Sequence, residues 1–243
     1  LTLTNGTLNA GSNTITYTSN SITRTSGAIN ASAGTITFTN SSSLSLPSSL
    51  FSGNVNNMTL NGAGGVAMGS DMTLNGTLTL TNGLLTLGSN HLALGSAASV
   101  SGTPSVSNMI VATGTGTVRK IFSGTGNFTF PIGDNTGTAE YSPVNVDMTS
   151  GSFGSGAYIS ANVSNNKHPN NVSSDNYLNR YWNIEQSGVS GFTAVVTGTY
   201  TSDDVTGTEA NILMGKWSGS LPWTRYAASI NTGTKQLTSG NVN

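Results

Sequence analysis

"TITYT" at residues 14–18 returns as "TITFT" at residues 35–39. Side chains alternate along a strand, so Thr14, Thr16 and Thr18 share one face while Ile15 and Tyr17 share the other. If the two stretches are neighbouring rungs, Thr35, Thr37 and Thr39 lie against the first three threonines, about 4.8 Å away. Ile36 and Phe38 then stack on Ile15 and Tyr17. The apolar pair points inward and the threonines form an outward ladder. The repeat therefore predicts a coil that closes every 21 residues.

The surrounding sequence repeats as well. "LTLTNGTLNAGSNTITY" (1–17) aligns without gaps to "LTLTNGLLTLGSNHLAL" (78–94), and "MTLNG" occurs at 58–62 and 72–76. Units of about 20 residues are too small to bury their own apolar face and gain stability by stacking. Asn-Gly, present at Asn5, Asn61, Asn75 and Asn82, is also a hairpin signal, so an antiparallel meander competes with the solenoid. Sequence-similar repeats, an offset suited to two or three short strands, and few aromatics favour the solenoid. "SSSLSLPSSLFSGN" (41–54) reads as an irregular coil or insertion.

Composition narrows the class. Charged residues make up 7% of the 243 residues, far below the roughly 25% usual for soluble proteins. Ser and Thr together number 71, so polarity comes from hydroxyls and amides. This suits extracellular β-structure. A net charge of −1 gives no electrostatic footprint for nucleic acid. No apolar run reaches the roughly 18 residues of a membrane span. With zero cysteines, disulfides and thiol chemistry are excluded.

Charge and aromatics divide the chain. Up to Val118 the charged residues are Arg24 and Asp71, and the aromatics are Tyr17, Phe38 and Phe51. All other charged residues, and fourteen aromatics including Trp182, Trp217 and Trp223, lie beyond. We expect a parallel β-solenoid over 1–115 and an antiparallel Ig-like β-sandwich over 116–243, an all-β chain. In the second region strands are expected at 117–122, 127–131, 143–148, 157–163, 179–186, 192–200, 211–217, 223–229 and 235–239, punctuated by turn residues at the cadence of a sandwich.

The second region also resembles a known module. "GTGTVRKIFSGTGNFTFPIGD" (114–134), "YSPVNVDMTSGSF" (141–153), "YLNRYWNIEQSGVSGF" (177–192) and "SDDVTGTEANI" (202–212) are similar to a module of very large secreted proteins of Bacteroidota, where it follows a β-helix-like region. Their parent chains are often exported by type 9 secretion and held at the cell surface. The resemblance implies an extracellular, structural or adhesive role and supplies no catalytic residues. It also implies that this sequence is one piece of a longer chain.

Candidate sites are few. Solenoid enzymes that act on polysaccharides need clustered carboxylates, and the first region holds one, Asp71. Asp203, Asp204 and Glu209 in "SDDVTGTE" could offer oxygen ligands to Ca2+, against a plain solvated turn; Asp134 and Glu140 form a weaker pair. His168 reads as a loop residue. In "NRYWNIEQ" one of Tyr181 and Trp182 should enter the core, and Arg180 could pair with Glu185 across a neighbouring strand. Trp217 and Trp223 flank "SGSLP", where an exposed indole could stack on a sugar ring. Thr14, Thr16, Thr18, Thr35, Thr37 and Thr39 resemble the binding faces of some ice-binding solenoids. In the aligned third copy, however, His91, Ala93 and Gly95 break the pattern, and Thr79 and Thr81 align with Thr2 and Thr4, leaving a two-rung face. Thr as a plain β-favouring surface residue is the competing account.

No catalytic or cofactor residues are assigned. The expected role is a non-catalytic stalk, filament or adhesin unit outside the cell, its partners being other copies or neighbouring domains of the same surface protein, and glycans. Exposed terminal rungs invite pairing, so the sandwich is expected to cap one solenoid end and a further coil or copy the other.

Overall fold

The computed structural model describes every residue except Ala228. The chain divides into two compact units, Leu1–Ile121 and Phe122–Asn243.

The first unit is a three-sided parallel β-solenoid of about six turns. One face stacks Thr14–Tyr17, Thr35–Phe38, Asn57–Asn61, Thr77–Asn82 and Ser99–Gly102 in that order. A second carries Thr2–Leu3, Thr23–Arg24, Leu44–Ser45, Val66–Ala67, Leu85–Thr86 and Ile110–Val111. The third carries Thr7–Asn9, Ala28–Asn30, Met72–Leu74, Leu92–Leu94 and Val118–Ile121. The expected stacking holds: Ile15 pairs with Ile36 and Tyr17 with Phe38, the two rings meeting edge to face at 6.3 Å.

The inward ladder then runs on through Met58, Leu78 and Val100, and through Leu60 and Leu80. Met58, Leu60, Leu78 and Leu80 are fully or almost fully buried, each contributing about 1.5–3 kcal/mol of transfer free energy. A chain without cysteine or large aromatic clusters in this unit is held by such columns and by the backbone bonds between turns.

Corners need other devices. Asn40 is wholly buried, and its amide donates to the carbonyls of Ser42 and Gly65, both at 2.8 Å. Asn108 does the same for Leu80 at 2.9 Å. Gly83 has φ +87, and a Cβ there would lie 2.0 Å from the Gly62 carbonyl oxygen, so this turn accepts glycine alone. The "SSSLSLPSSLFSGN" stretch is a regular turn: it supplies Leu44–Ser45, and Phe51 bridges to Ile29.

The second unit is an antiparallel β-sandwich. Its main sheet runs Gly126–Phe130, Val144–Ser164, Tyr181–Thr199, Gln236–Thr238, Ile230–Asn231. Short ladders, Tyr177–Leu178 with Val205–Thr206 and Met214–Lys216 with Thr224–Tyr226, pack across it on Leu178, Tyr200, Ile212 and Leu237. The strand expected at 223–229 is Thr224–Tyr226; residue 228 lies outside the described residues.

Four expected strands are two long ones. "SGSFGSG" (150–156) and "SGVSG" (187–191) read as turns, yet they face each other, with Ser152 opposite Ser190 and Phe153 opposite Val189. The ladder shifts register there and passes through as a bulge. Val118–Ile121, expected to open the second unit, is instead the last rung stacked on Leu92–Leu94.

Candidate functional site

The outward side of the first solenoid face carries two unbroken columns. One runs Thr14, Thr35, Asn57, Thr77, Ser99; the other runs Thr16, Thr37, Thr59, Thr79, Ser101. The expected two-rung face is thus five rungs long. The error came from aligning 1–17 with 78–94. Leu3 lies on the second face while Leu78 and Leu80 lie on the first, and "HLAL" lies on the third, so that alignment is slipped by one face. Thr18 and Thr39 follow their strands. Their column meets Asn61 and is lost where the register shifts between Leu80 and Asn82.

Side chains couple along the columns. The Thr79 and Ser101 hydroxyls lie 2.8 Å apart, and those of Thr77 and Ser99 3.3 Å apart. Asn57 accepts from the Thr77 backbone N–H at 2.7 Å and donates to the Thr35 hydroxyl at 3.5 Å. A Cβ on Gly76 would lie 2.3 Å from the Asn57 Oδ1, so the glycine makes room for that amide.

Within the second unit lies a cleft of about 840 Å³, in the size range of small-ligand sites. Val146, Met148, Ile159 and Val196 floor it. At its border His168 meets Tyr181 at 4.8 Å, Trp223 at 4.9 Å and Trp217 at 5.9 Å, and the two indoles lie 5.0 Å apart. Trp217 and Trp223 are both half-buried. Burial holds the His168 imidazole below its ordinary pKa. Asn183, Gln186, Lys216 and Arg225 add polar groups to the same cleft. His168 is therefore the hub of a ring cluster. Its sequence context, a loop before Pro169, gave no sign of that.

Trp182 takes the structural role. Its indole N–H donates to the Ser142 carbonyl at 2.9 Å, and its ring covers Gly198, where a Cβ would come within 2.7 Å. Arg180 does not pair with Glu185, which is exposed. Five residues apart on alternating backbone, the two point to opposite faces. The Arg180 guanidinium is instead fully buried among three carboxylates. It donates to Asp134 and Asp204 at 2.7 Å each and to Glu140. Burial alone would lower the guanidinium's pKa; the hydrogen bonds and charges of Asp204 and Asp134 outweigh it and raise the pKa.

This network scatters the calcium candidates. Asp204 is committed to Arg180, and Glu209 accepts from Lys235 at 2.8 Å and from the Tyr200 hydroxyl at 2.8 Å. Asp203 is exposed on the short 3-10 turn Ser202–Asp204. Asp134 and Glu140 do converge, but on the guanidinium. Among the described residues no group of three or more His, Asp or Glu side chains is arranged to hold a metal ion.

No family model, curated protein or solved structure matches the chain.

Proposed function

We propose that this chain is a non-catalytic structural and adhesive segment of a large extracellular surface protein, assembling end to end. The observation that supports this is the in-register stack of short parallel strands. Thr2–Leu3, Thr7–Asn9 and Thr14–Tyr17 each pair with a strand of the second turn and terminate their sheets. Thr35 N–H donates to the Asn13 carbonyl and Thr39 N–H to the Tyr17 carbonyl. By alternation the Thr14 and Thr16 amides point the other way, away from the second turn. A further parallel rung, from another coil or a second copy, satisfies those groups at the cost of little new order. The sequence resemblance supports placement at the cell surface.

Light scattering over a concentration series tests the assembly. The chain should form elongating oligomers, and Thr16→Pro should suppress them, because proline removes an edge donor without touching the existing ladder. A clean monomer at every concentration sinks the end-to-end reading.

A second reading, contact with glycans, is favoured by the ring cluster at the cleft of the second unit. Half-buried indoles beside amide and guanidinium groups suit a pyranose, whose C–H face stacks while its hydroxyls hydrogen-bond. Titration with soluble β-glucan and xylan oligosaccharides should shift tryptophan emission, and Trp217→Ala should abolish the shift. No shift with any oligosaccharide rules this reading out.

A further inference from the structure

We infer that the two-column face of the solenoid is an ice-binding surface. If Thr were there merely as an uncharged β-former, the three faces would carry it alike. They do not. The ten paired outward positions of the first face are seven Thr, two Ser and one Asn. The outward positions of the second face are Thr2, Thr23, Ser45, Ala67, Thr86 and Val111, and those of the third are Thr7, Asn9, Ala28, Asn30, Thr73, Ala93 and Arg119. Hydroxyl residues fill nine of ten such positions on the first face, four of six on the second and two of seven on the third, so the ladder is most nearly continuous on the first.

That face has the properties an ordered water lattice requires. Rungs repeat every ~4.8 Å, and alternate residues of a strand every ~6.7 Å, two spacings on the scale at which oxygen positions repeat on the prism planes of ice. Threonine is stiff at χ1, so hydroxyl and methyl are held in fixed places. In-register stacking opposes the twist that a free sheet would take. The ten positions carry no charge, so no tightly held hydration shell has to be stripped. The methyl groups favour structured water over bulk contact, and the hydroxyls anchor it by hydrogen bonds.

The test uses the intact chain. Ice-affinity partitioning, with thermal hysteresis as a second readout, should place the chain in the ice fraction and show a measurable freezing gap. Thr59→Lys, at the middle rung, should eliminate partitioning, whereas Thr86→Lys on another face should retain it. Thr79→Tyr provides a second variant that keeps strand propensity: tyrosine favours strands but stands proud of the face. It too should eliminate partitioning, with an unchanged melting temperature. Exclusion of the chain from ice with no hysteresis overturns the proposal. So does partitioning that survives both Thr59→Lys and Thr79→Tyr, and so does retention on crystalline cellulose or chitin without retention on ice.

Discussion

Replacing Arg180 with methionine probes the most concentrated electrostatic feature of the molecule. In the wild type one buried cation holds Asp134, Glu140 and Asp204. The Thr201 hydroxyl also donates to Glu140 at 2.5 Å and to Asp204 at 3.2 Å, and the Asn165 amide to Asp134 at 3.1 Å. These donors remain in the variant, but the countercharge is lost and three carboxylates stay behind. Breaking a buried pair by removing one partner costs about 3–5 kcal/mol. With three carboxylates left uncompensated, the loss should reach at least that range. Domain stabilities are about 5–15 kcal/mol, so the second unit should come close to unfolding at pH 7.

All three tryptophans lie in the second unit, so tryptophan fluorescence in a urea titration reports that unit within the intact chain. Arg180→Lys should fall between wild type and the methionine variant, because one ammonium cannot reach three carboxylates as a planar fork does. A methionine variant within about 1 kcal/mol of wild type at pH 7 would refute the reasoning, since a cost that small is typical of an exposed pair.

Other outcomes follow from the same geometry. Leu78→Ala empties a fully buried rung position and should destabilise the solenoid by about 2–5 kcal/mol, read by thermal melting of the circular dichroism signal. Asn40→Ala removes both amide bonds, to Ser42 and Gly65, at about 0.5–1.5 kcal/mol each, while the Gly65 carbonyl keeps the Leu44 N–H; the same melt should report it. Hydrogen bonds from Lys235 and Tyr200 hold the Glu209 carboxyl below its ordinary pKa. Its stabilisation is therefore present above the unfolded-state pKa and lost as pH falls through the folded one. Glu209→Gln should flatten that part of the acid limb in tryptophan-monitored unfolding, and an unaltered acid limb counts against the assignment.

The first two rungs were legible because "TITYT" and "TITFT" are near-identical and carry the period themselves. The later rungs were not. Their equivalents read "NMTL", "TLTL" and "SVSG", where Asn and Ser replace Thr and the corners absorb a residue more or fewer. Identity then favoured the 78–94 alignment, one face out of step. A solenoid requires that inward positions be apolar and of fitting size, and it requires little of sequence identity.

In the second unit the strands were readable from alternation. Their fusion into two long ones was not, because a Gly-Ser run looks the same whether it turns or bulges. The Arg180 network joins residues 46, 40 and 24 positions apart, and no local pattern announces contacts at that range. Trp217 and Trp223 were singled out for their position beside a turn. What joined them into a ring cluster was His168 and Tyr181, brought to them by tertiary folding.

The stacking of five rungs in register underlies both the proposed end-to-end assembly and the proposed ice-binding face. It is tested most directly by electron spin resonance on a chain labelled at Thr16 and Ser101. These residues occupy the first and last rungs of one column, four steps apart, which places their backbones about 19 Å from each other. A single narrow distance distribution near that span, widened by the label arms, is the predicted result. A broad distribution, or one centred at twice the span, would contradict the stack.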